Sequence, residues 1–233
     1  MHAPVNDPDE RMRLIDVSHT VETGMLTYKG LPAPVVCDYL SREASRKLYA
    51  AGTEFQIGRI DMVGNTGTYL DCPFHRYADG DDLSQLDLAA LCDLDAIVVR
   101  VDASTRAIDV AHFRDRDVRG KAVLVHTGWD AHWNTPAYYQ GHPFLTAAAA
   151  EHLRERGARL VGIDALNIDD TSADDPRDRT RPVHSTLLGA NILIVEHLTR
   201  LGTLPDSGFG FSAVPPKFKG VGTFPVRAFA KLR

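Results

Sequence analysis

Several protein classes are excluded because the features that mark them are scarce in this sequence. The chain has three cysteines (Cys37, Cys72 and Cys92) and no C-x-x-C pair, which excludes a disulfide framework and a zinc ribbon. Its 26 basic residues are outnumbered by 31 acidic ones, and a net charge of −5 argues against a nucleic-acid partner. No apolar run approaches the ~20 residues that a membrane helix needs. We therefore expect a cytoplasmic protein that binds neither nucleic acid nor membranes.

The composition that remains is typical of a globular protein, with 44% hydrophobic and 24% charged residues in 233. A chain of this length can bury a large core without disulfides or metal staples. We expect one domain over residues 1–233, in which the polar segment 1–12 is flexible.

Short apolar runs rich in β-branched residues predict buried strands at 96–101, 122–126, 160–163 and 192–195. The alternating segment 54–62 predicts a half-buried strand. A helix is expected at 147–156, with Thr146 as its N-cap and Gly157 after its end, and shorter helical pieces at 83–91 and 110–114. The polar segment 169–182 is typical of a long loop. Because strands outnumber helices, we predict a mixed α/β sheet.

The densest group of chemically capable residues runs from Gly64 to His75 (GNTGTYLDCPFH). Its glycines allow a sharp turn, and Pro73 stiffens the chain between Asp71 and His75. A carboxylate and an imidazole held in this way can share a metal ion or act as an acid–base pair. The alternative is that Asp71 caps a turn and His75 is an ordinary half-buried histidine.

Two further groups lie downstream. His184 follows the polar loop, and Glu196 closes the run 192–195 while a strand would point His197 to the opposite face. His184 and Glu196 are interpreted as site residues. The alternative is that His184 is a solvated loop histidine and Glu196 a charged residue at the surface end of a strand. Trp129 begins an aromatic-rich segment that either lines an apolar pocket or covers the edge of the core.

Taken in order along the chain, several segments resemble the cyclase family of metal-dependent hydrolases, which includes bacterial kynurenine formamidases and isatin hydrolases. The similar segments are Ile15–His19 (IDVSH), Thr127–Trp129 (TGW), His142–Leu145 (HPFL), Gly162–Asp164 (GID), Val183–His184, Leu187–Gly189, Glu196–Leu198 and Pro225–Ala228 (PVRA). The resemblance spans nearly the whole chain. It implies a swivelling β/β/α-type fold, a homodimer or larger homo-oligomer, and hydrolysis of a C–N bond in a formamide or cyclic amide. It also implies a small, aromatic substrate and a place in tryptophan catabolism.

The family signature, H-x-G-T-H-x-D-x-P-x-H, is only partly kept. Asn65 and Tyr69 stand where the family has its two leading histidines, whereas the aspartate and the last histidine are present. The resemblance implies that Asp71, His184 and Glu196 are the ligands of one divalent ion, zinc or manganese, and that His75 is the acid–base residue. An amide oxygen is a weaker ligand than an imidazole, so we do not expect a binuclear site.

Two alternatives without a metal ion stay open at this point. Asn65 and Tyr69 would donate hydrogen bonds to a substrate carbonyl while His75 activates water, or the protein would bind a small molecule without turning it over. The hypothesis that Cys72 and a histidine form a nucleophilic pair has less support, because small buried cysteines are mostly inert. Trp129 and Tyr28 are expected to shape an aromatic-tolerant pocket.

Overall fold

The computed structural model describes residues 13–26, 28, 30–175, 177 and 179–232, so the predicted flexible segment 1–12 lies outside the described residues. The strands are β1 (Arg13–Asp16), β2 (Val35–Leu40), β3 (Ile57–Asp61), β4 (Tyr69–Asp71), β5 (Leu94–Arg100), β6 (Ala107–Ile108), β7 (Ala122–His126), β8 (Phe144–Leu145), β9 (Leu160–Ile163), β10 (Leu193–Glu196), β11 (Phe209–Ser212), β12 (Thr223–Pro225) and β13 (Phe229–Leu232). The α-helices are α1 (Arg42–Ser45), α2 (Ala147–Glu155) and α3 (Pro182–Gly189). None of the helices within these ranges is long and apolar enough to cross a bilayer.

The main sheet is mixed, with the strand order β1-β13-β11-β5-β7-β9-β10-β4-β12. Its centre, from β5 through β7 and β9 to β10, is parallel. The strands on either side pair antiparallel, including β4 with β10 and with β12. The mixed α/β fold predicted from the sequence is confirmed, and all of these strands belong to one domain.

The central strands separate two hydrophobic cores. Along β5, Val98 faces one core and Val99 faces the other. Leu153 of α2 and Leu187 of α3 pack in the second core, whereas loop residues such as Leu201 cover the first. Burial on both faces explains why the central strands are continuous apolar runs.

The predicted positions of the central strands and of α2 agree with the structure. Thr146 caps α2 by accepting a hydrogen bond from the backbone of Ala149 at 3.1 Å, and Gly157 follows the helix. The shorter helical pieces are reduced to 3₁₀ turns at 88–90 and 110–112. The helix α3 was not predicted, because its residues continue directly from the polar loop.

An antiparallel arm of β2 and β3 lies outside the main sheet. The prediction of a half-buried strand at 54–62 is wrong, because all five residues of β3 are exposed. Among the described strands, β3 pairs with β2 alone, and the exposure of all its residues means that no described segment covers either face. The exposed apolar side chains of the arm and its connection are Val35, Val36, Tyr39, Leu48, Tyr49, Phe55, Ile57 and Ile60.

Candidate active site

The register of β4 brings four polar side chains together. Side chains alternate along a strand, so Leu70 enters the core while Tyr69 and Asp71 point to the opposite face. Glu196 of β10 lies directly opposite Tyr69, and Thr223 of β12 lies directly opposite Asp71. Residues that are far apart in sequence therefore meet on one face near the edge of the sheet.

Two glycines allow the backbone to close tightly around this face. A Cβ atom at Gly64 would lie 2.2 Å from the carbonyl oxygen of Thr223. A Cβ atom at Gly222 would lie 2.3 Å from the backbone nitrogen of His75. A larger residue at Gly64 would push Thr223 of β12 away, and a larger residue at Gly222 would push away the segment that carries His75.

A buried carboxylate, Asp169, starts α3 and orients His184. It accepts hydrogen bonds from the backbone of Val183 (2.8 Å) and of His184 (3.0 Å), and Pro182 fits the first turn because it needs no such partner. Asp169 also accepts a hydrogen bond from Nδ1 of His184 at 2.6 Å. An ionised carboxylate only accepts, so Nδ1 carries a proton and Nε2 is the nitrogen that faces the other acidic groups.

His184 Nε2 points at two further buried carboxylates. It lies 3.6 Å from Oδ2 of Asp71 and 3.7 Å from Oε1 of Glu196. Within the described residues, the buried Oδ2 of Asp71 has no hydrogen-bond partner. An imidazole that is oriented by a carboxylate and faces two carboxylate oxygens is a donor set that suits a divalent cation.

The electrostatics of this group also favour a cation. Burial opposes protonation of His184, but Asp169, Asp71 and Glu196 raise its pKa to about 10. Burial and the charge of Asp71 raise the pKa of Glu196 to about 7. Three carboxylates around one imidazole leave a negative excess, which a bound positive charge would offset. Within the described residues, the ligand atoms of Asp71, His75 and His184 lie within 4.8 Å of one another, so the residues present fit one divalent ion.

Asn65 and Tyr69, which replace the two family histidines, form a hydrogen-bonded chain that ends on Glu196. Asn65 forms a side-chain hydrogen bond to Tyr69, and the Tyr69 hydroxyl donates to Oε2 of Glu196 at 2.5 Å. Burial and the charges of Glu196 and Asp71 raise the pKa of Tyr69 well above its usual value. The phenol therefore stays protonated, which opposes its use as an anionic ligand.

His75 is connected to Asp71 through the hydroxyl of Thr223. This hydroxyl donates a short hydrogen bond to Oδ1 of Asp71, and His75 Nδ1 lies 2.7 Å from it. Because the hydroxyl has one proton and gives it to Asp71, His75 must donate from Nδ1. The lone pair is then on Nε2, which is the protonation state of a general base.

A cavity of about 240 Å³ adjoins these groups. It is lined by Tyr28, Leu31, Asn65, Tyr69, His75, Arg76, Asn167, Arg181, His184 and Glu196. Tyr28 lies where it was predicted to lie, at the pocket. Trp129 does not line this cavity, because its indole packs beside the second core and donates to the carbonyl of Tyr138 at 3.1 Å.

Cys72 and His197 are buried beside the site without facing it. Cys72 packs in the first core, and burial raises the pKa of its thiol to about 11, which opposes a nucleophilic thiolate at neutral pH. His197 follows β10 with a φ of +56° and its Nδ1 lies 2.8 Å from the hydroxyl of Tyr138. Both are interpreted as packing residues.

Sequence reasoning brought Asp71, His75, His184 and Glu196 together correctly in space, but it missed Asp169 and Thr223. Asp169 was assigned to the start of the polar loop 169–182, although it is buried. The one sequence signal for it was Pro182 followed by an apolar run, which is typical of a helix start that needs a cap. Thr223 offered no local signal.

The fold and the site define a mixed α/β protein with a carboxylate–imidazole group suited to a divalent ion. A family model described as "Putative cyclase" matches residues 15–170, and the chain belongs to this family. The resemblance derived from the sequence segments is therefore confirmed.

Relatives and solved structures agree with this assignment. A kynurenine formamidase of Bacillus cytotoxicus is 28% identical over 218 residues, covering 93% of this chain and 96% of that protein. A solved potential metal-dependent hydrolase with cyclase activity is 26% identical with a TM-score of 0.77, covering 96% of this chain and 99% of the other. Isatin hydrolase A from Ralstonia solanacearum has a TM-score of 0.78 at 22% identity, covering 95% and 92% of the two chains, and supports the fold alone.

Proposed function

We propose that this protein hydrolyses a C–N bond in a formamide or cyclic amide of a small aromatic substrate. The observation that carries the proposal is that Nε2 of His184 lies 3.6 Å from Asp71 and 3.7 Å from Glu196, beside a cavity that His75, His184 and Glu196 line. The similarity to kynurenine formamidases over nearly the full length of the chain supports the same reaction class. Tyr28 and Leu31 supply apolar surface for an aromatic group.

Asp71, His184 and Glu196 would hold one divalent ion, zinc or manganese. Such an ion polarises a carbonyl group and acidifies bound water. The Asn65–Tyr69 chain supports one ion rather than two, since a protonated phenol and a neutral amide are poor replacements for imidazoles. In this arrangement Tyr69 and Asn65 hold Glu196 in place instead of binding the substrate carbonyl.

His75 would move the proton during hydrolysis. Its Nε2 takes a proton from water as the water oxygen bonds to the carbonyl carbon. The protonated imidazole then gives that proton to the amide nitrogen as the C–N bond breaks, releasing an amine and a carboxylic acid. For a formamide the products are an arylamine and formate. Thr223 keeps Nδ1 of His75 as the donor throughout.

The assembly proposed for this enzyme is a homodimer or a larger homo-oligomer that joins through the β2–β3 arm. Large apolar side chains on both faces of the arm, such as Ile57 and Ile60, support this proposal. A cytoplasmic location is proposed as well, and the unpaired state of the three cysteines agrees with a reducing compartment. The absence of a nucleic-acid or membrane partner, and a role in tryptophan catabolism, stay predictions.

The reaction is tested with formanilide and isatin as the formamide and the cyclic amide, measured with added zinc or manganese. We expect turnover of at least one substrate, and a loss of 100-fold or more in kcat for His75→Ala, in line with general base catalysis. His132→Ala is the matched control, because His132 is exposed and does not line the cavity. Tight binding of both compounds without any product would instead support the binding protein.

The role of the replaced histidines is tested by the double variant Asn65→His with Tyr69→His. If Asp71, His184 and Glu196 are the remaining ligands, metal analysis of this variant should show more bound metal than in the wild type. Unchanged metal content would contradict the assigned ligands.

A further inference from the structure

A buried amide side chain, that of Asn167, lines the cavity and has no part in the proton transfer described above. Asn167 lies between β9 and α3, and it is only 6% exposed. An amide side chain has one carbonyl acceptor and two N–H donors, and buried polar groups are normally hydrogen-bonded. The partners of Asn167 therefore show whether a donor is left for a bound molecule.

The amide of Asn167 is fixed in one orientation. The backbone N–H of Asp169 donates to Oδ1 of Asn167 at 3.0 Å, and only the oxygen of the amide can accept this hydrogen bond. The nitrogen Nδ2 therefore lies on the other side of the amide, where it donates to Oε2 of Glu196 at 3.3 Å. Among the residues that the structure describes, Nδ2 has no second acceptor. One N–H group of Asn167 is left over at the wall of the cavity.

The two other neutral donors at this end of the cavity are already engaged. Asn65 bonds to Tyr69, and the hydroxyl of Tyr69 donates to Oε2 of Glu196 at 2.5 Å. The same oxygen receives the bond from Asn167, which is longer and therefore weaker. Glu196 thus keeps its strong donor even when Asn167 turns its N–H groups toward a substrate.

Hydrolysis of an amide creates a need for such a donor. When the water oxygen bonds to the carbonyl carbon, negative charge develops on the carbonyl oxygen. The carboxylates of Asp71 and Glu196 lie close by and oppose this charge. A neutral N–H group that is oriented before the reaction stabilises the charge without a cost of reorganisation. Asn167 and His75 line the same cavity, so one carbonyl group can meet both residues.

We propose that Asn167 is a catalytic residue that donates a hydrogen bond from Nδ2 to the oxygen of the scissile carbonyl. The inference rests on the proposed C–N hydrolysis and adds a residue to it. The bond strengthens as the oxygen becomes negative, and both protons stay on Nδ2 throughout. His75 alone carries the proton from water to the amide nitrogen. Asn167 therefore contributes to kcat more than to substrate binding.

The first measurement is the hydrolysis of formanilide by Asn167→Ser. The serine oxygen can still accept from the backbone of Asp169, whereas the two N–H donors are lost. We expect kcat to fall by about 100-fold with little change in KM and with the metal content of the wild type. Gln140→Ala is the control, because Gln140 is an exposed amide residue that does not line the cavity.

Thioformanilide separates a donor to the carbonyl from a residue that only supports its neighbours. Its sulfur atom is a weak acceptor, so the hydrogen bond from Asn167 favours formanilide over thioformanilide. The ratio of the two kcat/KM values should therefore fall by about tenfold or more from the wild type to Asn167→Ser. A residue that merely holds Glu196 or Asp169 would slow both substrates equally, and an unchanged ratio overturns the inference.

Binding distinguishes this inference from the proposed function. If the wild type hydrolyses neither substrate, the hydrolase proposal fails, and calorimetry with phenylphosphonate, a tetrahedral anion, decides the role of Asn167. Weaker binding of phenylphosphonate to Asn167→Ser than to the wild type supports the donor, and equal binding overturns it. If Asn167→Ser does not fold, Asn167→Asp is measured in the same way, because it keeps the acceptor for Asp169 and lacks both N–H groups.

Discussion

The hydroxyl of Thr223 is the contact whose removal best tests the structural reasoning. It donates to the buried Asp71 and accepts from Nδ1 of His75 at 2.7 Å. Thr223→Val keeps the shape of the side chain and removes both hydrogen bonds. Oδ1 of Asp71 then lacks its donor, which costs about 1–3 kcal/mol of stability for a buried polar group. His75 loses the acceptor that fixes its proton on Nδ1.

The expected effect on catalysis follows from that loss. Without Thr223 Oγ1, the tautomer with the proton on Nε2 becomes populated, and that tautomer cannot accept a proton from water. General base catalysis contributes 10²- to 10⁴-fold, so we expect kcat for formanilide to fall by about 10- to 100-fold while KM changes little. Thr223→Ser keeps the hydroxyl and should retain most of kcat.

Three measurements decide the outcome: kcat and KM, the free energy of unfolding in urea, and the metal content of each variant. The metal content must match that of the wild type for the kinetic comparison to hold. The assigned role of Thr223 is refuted if Thr223→Val is less stable but keeps the wild-type kcat. In that case the hydroxyl supports Asp71 alone, and the proton on His75 is positioned by something else.

Three further predictions follow from other parts of the molecule. Asp71→Asn should abolish stoichiometric binding of zinc or manganese in metal analysis, whereas Asp79→Asn should not, because Asp79 is exposed and does not line the cavity. Ile60→Lys should shift the mass in light scattering toward the monomer; an unchanged oligomer would exclude the arm as the interface. Burial lowers the pKa of His19 from 6.5 to about 4, so the unfolded state binds more protons and stability should fall as pH drops from 6.5 to 4. His19→Phe keeps the stacking on Trp133 but cannot be protonated. In urea titrations this variant should lose about 2 kcal/mol less stability than the wild type between pH 6.5 and 4, a value that is reduced because the ring is partly exposed. The same pH dependence in both proteins would contradict this role of His19.

The central sheet was predictable because its physical signal is local. Strands such as β7 and β9 are covered on both faces, so each one is a continuous apolar run that is bounded by polar residues. The same reasoning failed for β3, whose alternation indicates one covered face. Nothing within the described chain covers it, and a surface shared with another molecule leaves the same pattern in the sequence as a core.

The candidate site was predictable only in its residue types. Asp71, His184 and Glu196 were identified by their resemblance to family segments, and the structure supplies the reason that they meet, which is the pairing of β4 with β10. Thr223 was missed because it contacts Asp71 across 152 residues of sequence. A lone threonine in a Gly-rich segment carries no periodicity or spacing that points to such a contact.

The double use of Asp169 has a consequence for how this enzyme can change over evolutionary time. The carboxylate of Asp169 caps the start of α3 and also orients the imidazole of His184. The connection between Asp169 and α3 is therefore held together at its two ends by hydrogen bonds to one side chain. Insertions or replacements between those ends can change which molecules enter the cavity while the orientation of the His184 imidazole stays the same. Arg181 lies near the far end of that stretch and lines the cavity, so a replacement there can change which molecules enter while the orientation of His184 is kept.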